Sequence, residues 1–217
     1  MARKTGYGKI SLFKTKRKYL IGGFFVFIIL VIILGILNQK SRQAHTIDIV
    51  SQNEIVSKLA DGDIIFRLGN RIWSSFLKDF SVEDRRYSHL GIVKVRDGIY
   101  TVIHSEGFAG DGQNFVKEVP LADFLEIALR IGIYRVDDIE GSKISDTALQ
   151  YLDTPFDWDF DMTSHDRIYR TELLYLVLSQ VAPEITLKTT FIKEIKKDIL
   201  PLDMCFGSEY FTEIGTW

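Results

Sequence analysis

The chain of 217 residues has one cysteine, Cys205, so no disulfide can close within it. A lone thiol is more often a small buried hydrophobe than a functional group, and that role is expected of Cys205. Acid is missing from the N-terminal part. Residues 1–40 hold 8 of the 27 lysines and arginines and none of the 29 aspartates and glutamates. The rest of the chain therefore carries 19 basic against 29 acidic side chains, a balance of −10. That argues against nucleic acid as a partner, since such partners need a basic surface. Internal repeats and low-complexity tracts are also absent, which argues against a solenoid or array.

What is present first is a long apolar run. Residues 19–37, YLIGGFFVFIILVIILGIL, carry no charge, and the uncharged stretch continues through Asn38 and Gln39. About 20 such residues cross the ~30 Å hydrocarbon core of a bilayer. Arg3, Lys4, Lys9, Lys14, Lys16, Arg17 and Lys18 precede the run, and only Lys40 and Arg42 follow it closely. The positive-inside rule then keeps the N-terminus in the cytoplasm. A cleaved signal peptide needs a shorter apolar core and small residues at the cleavage site, where this chain has Arg42. The expected layout is a basic cytoplasmic tail (1–18), one membrane-spanning helix (19–39), a linker (40–48) and an extracytoplasmic domain (49–217). The membrane is thus an expected partner, through a single-pass anchor in the cell membrane.

The outer part alternates between helix and strand signals. Residues 49–60 have helical apolar spacing, and DGD turns the chain into the β-rich DIIFRL. Residues 71–80 read as helix, with Trp73, Phe76 and Phe80 as its core face. SHLGIVKV and IYTVIHS flank RDG and predict a hairpin. NFVKEV and RIGIYRV are further strands, with PLADFLEIA opening a helix between them. SKISDTALQYL is a helix, PFDWDFDMTSHD a polar loop, and YRTELLYLVLSQV an apolar helix ended by Ala-Pro-Glu. FIKEIKK is amphipathic, and LPLDMCFGSEYFTEI closes the domain. This order predicts an α+β fold with an antiparallel sheet.

Four histidines exist. His45 falls in the linker and His165 in the polar loop, and neither is expected to act. His89 and His104 lie on the two arms of the hairpin, where they can be cross-strand neighbours. Alone, such a pair need be no more than two hydrogen-bonded polar groups. Asp157, Asp159 and Asp161 form a D-x-D-x-D pattern. The glycine and glutamate of a calcium loop are replaced by Met162 and Ile168, so no metal is expected there. No cofactor is expected either.

The words GDIIFR (62–67), YSHLGIV (87–93), VIHSEG (102–107), PFDWDF (155–160) and YRTELLY (169–175) occur in one specific order. In that order they resemble the permuted papain-like amidases, the YiiX-like branch of the NlpC-type cysteine hydrolase superfamily. The resemblance spans about residues 50–210. It implies a permuted papain-like fold, with an antiparallel sheet packed on helices. It also implies a cysteine nucleophile at a helix start, where the helix dipole favours its thiolate. A strand histidine is the implied base, and a polar group on the next strand orients it. His89 takes the place of the base. His104 takes that of the orienting group, with Glu106 as the alternative. Tyr169, Thr171, Glu172 and Leu173 match the cysteine motif, but Arg170 stands where the cysteine belongs.

A guanidinium is no nucleophile and stays protonated. The expectation is a catalytically degenerate homologue that binds a cell-wall peptide or a lipid, acyl or amide ligand. Arg170 would supply bidentate capture of a carboxylate or phosphate, with Tyr169 and Thr171 beside it. An active amidase or acyltransferase with a non-standard nucleophile is one alternative. A docking module with an unused cleft is the other. Thr171 points about 100° from Arg170 on a helix, which makes it a poor substitute nucleophile.

Overall fold

The computed structural model describes residues 47–71, 74, 78–107, 114–193 and 195–217, together with residue 29. The expected membrane span, Ile29 apart, lies outside the described residues, as do the cytoplasmic tail and most of the linker. Among the described residues no helix is long and apolar enough to cross a membrane. The compact unit described below is Thr46–Trp217.

Eight strands form among the described residues: β1 (Ile64–Gly69), β2 (His89–Arg96), β3 (Ile99–Glu106), β4 (Phe115–Pro120), β5 (Ala128–Val136), β6 (Thr190–Ile192), β7 (Lys197–Ile199) and β8 (Phe211–Thr216). Six make one sheet in the order β4-β3-β2-β1-β5-β8, and every neighbouring pair is antiparallel. Among the described residues five helices with assigned bounds accompany them: α1 (Ile49–Lys58), α2 (Leu121–Glu126), α3 (Gly141–Leu149), α4 (Arg170–Val181) and α5 (Leu202–Phe206). The α+β expectation and its antiparallel sheet hold.

The pleat explains why β1 reads as an unbroken apolar run. Its side chains alternate between two covered faces. Ile64 and Phe66 enter a core shared with Leu173, Leu174 and Val177 of α4 and Ile144 of α3. Ile65 enters a second core with Ile55 of α1 and Leu121, Phe124 and Leu125 of α2. Helices on both faces leave no solvent side to mark the strand by polar alternation.

Local signals account for the ends of the elements. Asp48 Oδ1 accepts the Ser51 amide at 2.8 Å and caps α1. After α1 the chain turns at Gly62, with φ +79°, and passes so close to α3 that a Cβ there would lie 2.2 Å from the Gly141 carbonyl oxygen. Glycine is needed on both counts. Asp63 then fastens the turn: Arg135 Nε donates to its Oδ1 at 2.7 Å, and the Ala60 amide donates to its Oδ2 at 2.7 Å.

Three segments take a more detailed form. In the stretch expected to be helix over 71–80, residue 74 is helical, residues 78–80 form a single 3-10 turn, and most of the remainder lies outside the described residues. The amphipathic FIKEIKK carries strand at both ends. It is split between β6 and β7, a two-stranded hairpin in which Ile192 and Ile199 pack against Phe80, Phe156 and Tyr169. The closing segment divides into α5 and the edge strand β8. Burial of alternate isoleucines against a third apolar cluster decides the hairpin, and neither stretch is long enough for a helical period to compete.

Candidate active-site cleft

The hairpin of β2 and β3 does bring the two histidines together. His89 Nε2 and His104 Nδ1 are 2.9 Å apart, with the rings nearly perpendicular at 88°. Strand β1 contributes Arg67, the direct register partner of His89, and β4 contributes Lys117, the partner of His104. The Phe124 ring of α2 lies against both imidazoles, and the Arg67 guanidinium stacks on its face, 4.1 Å from the centroid. Both histidines are buried. Burial first, and then the charge of Arg67, hold both imidazoles well below the ordinary histidine range, so the pair is neutral at neutral pH. Arg170 adds to the effect on His89.

Glu106, the alternative orienting group, is engaged elsewhere. Its Oε1 lies 3.3 Å from Arg67 and its Oε2 lies 3.2 Å from Lys117. The structure therefore sets His104, and not Glu106, against His89. Arg67 is anchored further by donating to the Phe124 carbonyl at 2.9 Å.

Arg170 is the first residue of α4, after Tyr169 in extended conformation. It is only 4% exposed, and with His89, Arg67, Arg71 and Phe156 it lines one small cleft of about 40 Å³ at the strand ends. Burial brings the Arg170 guanidinium down to about 10, which still leaves it charged at neutral pH. The helix start is held by Glu172, whose carboxylate accepts the Tyr169 amide at 3.2 Å. The same carboxylate meets His165 Nδ1 at 2.9 Å, so that histidine has a fixed partner rather than a purely solvent role.

Tyr169 and Thr171 do not line the cleft. The Tyr169 hydroxyl accepts the Leu200 amide at 3.1 Å, and the Thr171 hydroxyl donates to the Leu200 carbonyl at 2.7 Å. Flanking positions on a helix point roughly 100° to either side of Arg170, here onto the segment entering α5. Both are therefore anchors of that segment, which corrects their expected place beside the ligand. Cys205 is fully buried in α5, bonded to the Pro201 carbonyl, and burial pushes its thiol up. It does not line the cleft. The D-x-D-x-D loop is folded on itself: Asp157 accepts the amides of Asp159 and Asp161.

Sequence reasoning missed Arg67, Arg71 and Phe124. Arg67 was readable as the one charge inside the buried run of β1. Arg71 and Phe124 had no signal of their own, because only the tertiary fold brings the loop after β1 and the short helix α2 to this end of the sheet.

Comparison with known proteins agrees with this fold. Residues 58–201 match the family described as permuted papain-like amidase enzyme, YaeF/YiiX, C92 family. Among solved structures the chain is similar to one titled crystal structure of metalloprotein yiiX from Escherichia coli O157:H7, DUF1105. The TM-score is 0.62 at 20% identity, over 74% of this chain and 98% of that one. No curated protein matches the chain. An antiparallel sheet that aims a strand histidine at the start of a buried helix is a papain-like arrangement. The chain belongs to the permuted papain-like amidase family.

Proposed function

We propose that this protein is a membrane-anchored, catalytically degenerate amidase homologue whose cleft binds a cell-wall peptide or acyl or amide ligand without cleaving it. One observation carries the proposal. The residue that begins α4 and lines the cleft with His89 is an arginine, Arg170. By family resemblance this is the nucleophile position, with His89 as the base and His104 as its orienting partner. An acyl-enzyme needs a thiolate or alkoxide there. The buried thiol of Cys205 offers no substitute, because burial favours its neutral form. Anchoring rests on the apolar run of residues 19–39 and its basic flank, which places the domain outside the cytoplasm.

The solved relative is titled a metalloprotein. The residues present here do not fit a metal ion in the cleft. The two imidazoles turn one nitrogen each towards the other, Glu106 lies between Arg67 and Lys117, and two buried guanidinia line the same space. Among the described residues no group of three His, Cys, Asp or Glu side chains is placed to hold one.

The test is activity of the full chain in detergent against peptide amides, beside Arg170→Ala and Cys205→Ser. The expected result is no hydrolysis by any of the three, and no acylation by thiol-directed probes beyond Cys205. Hydrolysis by the parent and by Arg170→Ala that disappears in Cys205→Ser would show a different nucleophile and overturn the proposal.

A further inference from the structure

The histidine pair has one favoured arrangement of protons. His104 Nδ1 faces His89 Nε2 at 2.9 Å, and His104 Nε2 is buried without a hydrogen-bond partner among the described residues. Buried donors are left orphaned more rarely than acceptors are. The network therefore puts the His104 proton on Nδ1, which donates it to His89 Nε2. Neutral His89 must then carry its own proton on Nδ1. Its bond to His104 is the one side-chain hydrogen bond that His89 makes among the described residues, and His89 lines the cleft. The nitrogen left for a ligand is thus a donor, not a basic lone pair.

Most other polar groups on the wall are engaged. Arg67 donates to the Phe124 carbonyl and pairs with Glu106, whose second oxygen meets Lys117. Arg71 and Arg170 have interactions of their own. Ser88 accepts the Gly69 amide at 3.1 Å, and Ser105 donates to the Ile168 carbonyl at 2.5 Å. An anion entering here would leave water without a free counter-charge to meet it. A neutral carbonyl oxygen needs one donor only, and Ile127 and Phe156 supply apolar wall for the carbon beside it. The space is about 40 Å³, on the order of two or three waters. It takes the acyl end of a ligand.

Resting on the ligand-binding function proposed above, we infer that the cleft recognises an uncharged acyl oxygen, the carbonyl of an amide or ester, through a hydrogen bond from His89 Nδ1–H. His104 is the positioning residue: its Nδ1–H fixes the His89 tautomer from behind. The same tautomer leaves no lone pair of His89 free to take a proton, so the acyl group is held intact.

The test uses the full chain in detergent micelles with ¹⁵N-labelled histidine and three probes: N-methylacetamide, methyl acetate and acetate. The imidazole nitrogen signals report the tautomers directly. Without a probe, both His89 and His104 should be protonated on Nδ1 at pH 7.5. N-methylacetamide and methyl acetate should shift the His89 Nδ1–H signal in a saturable way, and acetate should leave it in place. His104→Leu should mix the His89 tautomers and weaken binding of the amide at least tenfold. His104→Gln, whose amide can donate to His89 Nε2, should restore both. If His104→Leu does not fold, the tautomers of the parent and its response to the three probes decide the matter. A His89 proton on Nε2 in the parent, or a response to acetate that equals the response to the amide, overturns the inference. Binding of acetate alone overturns it too, while leaving a non-cleaving ligand site in place. No response to any probe overturns both the inference and the ligand-binding function beneath it. Hydrolysis of the ester or the amide would instead overturn the loss of catalysis.

Discussion

His89 and His104 share one hydrogen bond, 2.9 Å between Nε2 and Nδ1, inside a layer closed by Phe124 and flanked by Arg67. Neither ring takes up a proton readily, first because of burial and then because of Arg67. In the unfolded chain both titrate near 6.5. Below that pH the unfolded state binds protons that the folded state refuses, so stability falls as pH falls. His104→Gln removes one of the two groups. Its urea midpoint, followed from pH 7.5 to 5, should fall less steeply with acid than that of the parent. A slope as steep as the parent's would show that His104 is not kept neutral.

Glu172 works in the opposite direction. Burial raises its carboxyl from 4.5 to about 7. A folded-state carboxyl raised above its unfolded value takes up a proton between those two pH values, which favours the folded state as pH falls. Removing it with Glu172→Gln, which can still accept the Tyr169 amide, should make the acid-induced loss of stability steeper than in the parent. The two variants therefore bend the same pH profile in opposite senses. A Glu172→Gln profile parallel to the parent's would contradict the raised carboxyl.

Asp203 predicts a stability effect remote from the cleft. Its Oδ2 accepts the amides of Val82, Glu83 and Asp84, at 2.9, 2.6 and 3.2 Å. Hydrogen bonds to a charged acceptor contribute more than neutral ones, and the amides left behind would lose a strong acceptor. Asp203→Ala should destabilise by about 2–4 kcal/mol in urea unfolding. Asp203→Asn, which retains an acceptor oxygen, should cost clearly less. Equal losses would mean that shape, rather than the carboxylate, holds the 82–84 turn.

The hairpin of β2 and β3, the strand β1 and the helix α4 were legible in the sequence because each has a strong local signal. RDG fixes a turn, β-branched runs flank it, and α4 has a long apolar pattern ended by Ala-Pro-Glu. The meeting of His89 and His104 followed from that hairpin alone. The β6–β7 pair was not legible, since three-residue strands carry no usable period and owe their form to Phe80, Phe156 and Tyr169 beneath them. Nor was the fate of Tyr169 and Thr171. A motif places them next to Arg170, but the helix turns them onto Leu200. The meeting of Arg67, Arg71 and Arg170 in one cleft was hidden for a different reason: they come from segments about 100 residues apart, joined only by the tertiary fold.

Arg170→Cys tests the position most directly. A thiol at the first residue of α4 would sit at the positive end of the helix dipole, with the Arg67 guanidinium lining the same cleft. Both favour the thiolate, so its pKa should fall below the ~8.5 of a free cysteine. The substitution is best made in a Cys205→Ser background, which leaves one thiol in the chain. Iodoacetamide alkylation across pH should then show one reactive group that titrates below a simple thiol standard. Cys205 in the parent, fully buried, should react only on unfolding. Further substitution of His89 by alanine should slow alkylation at neutral pH if the imidazole meets the new thiol. An Arg170→Cys thiol that titrates like a free cysteine and ignores His89 would mean that this helix start is not the nucleophile position. The arginine would then have to be explained without any reference to a lost hydrolase.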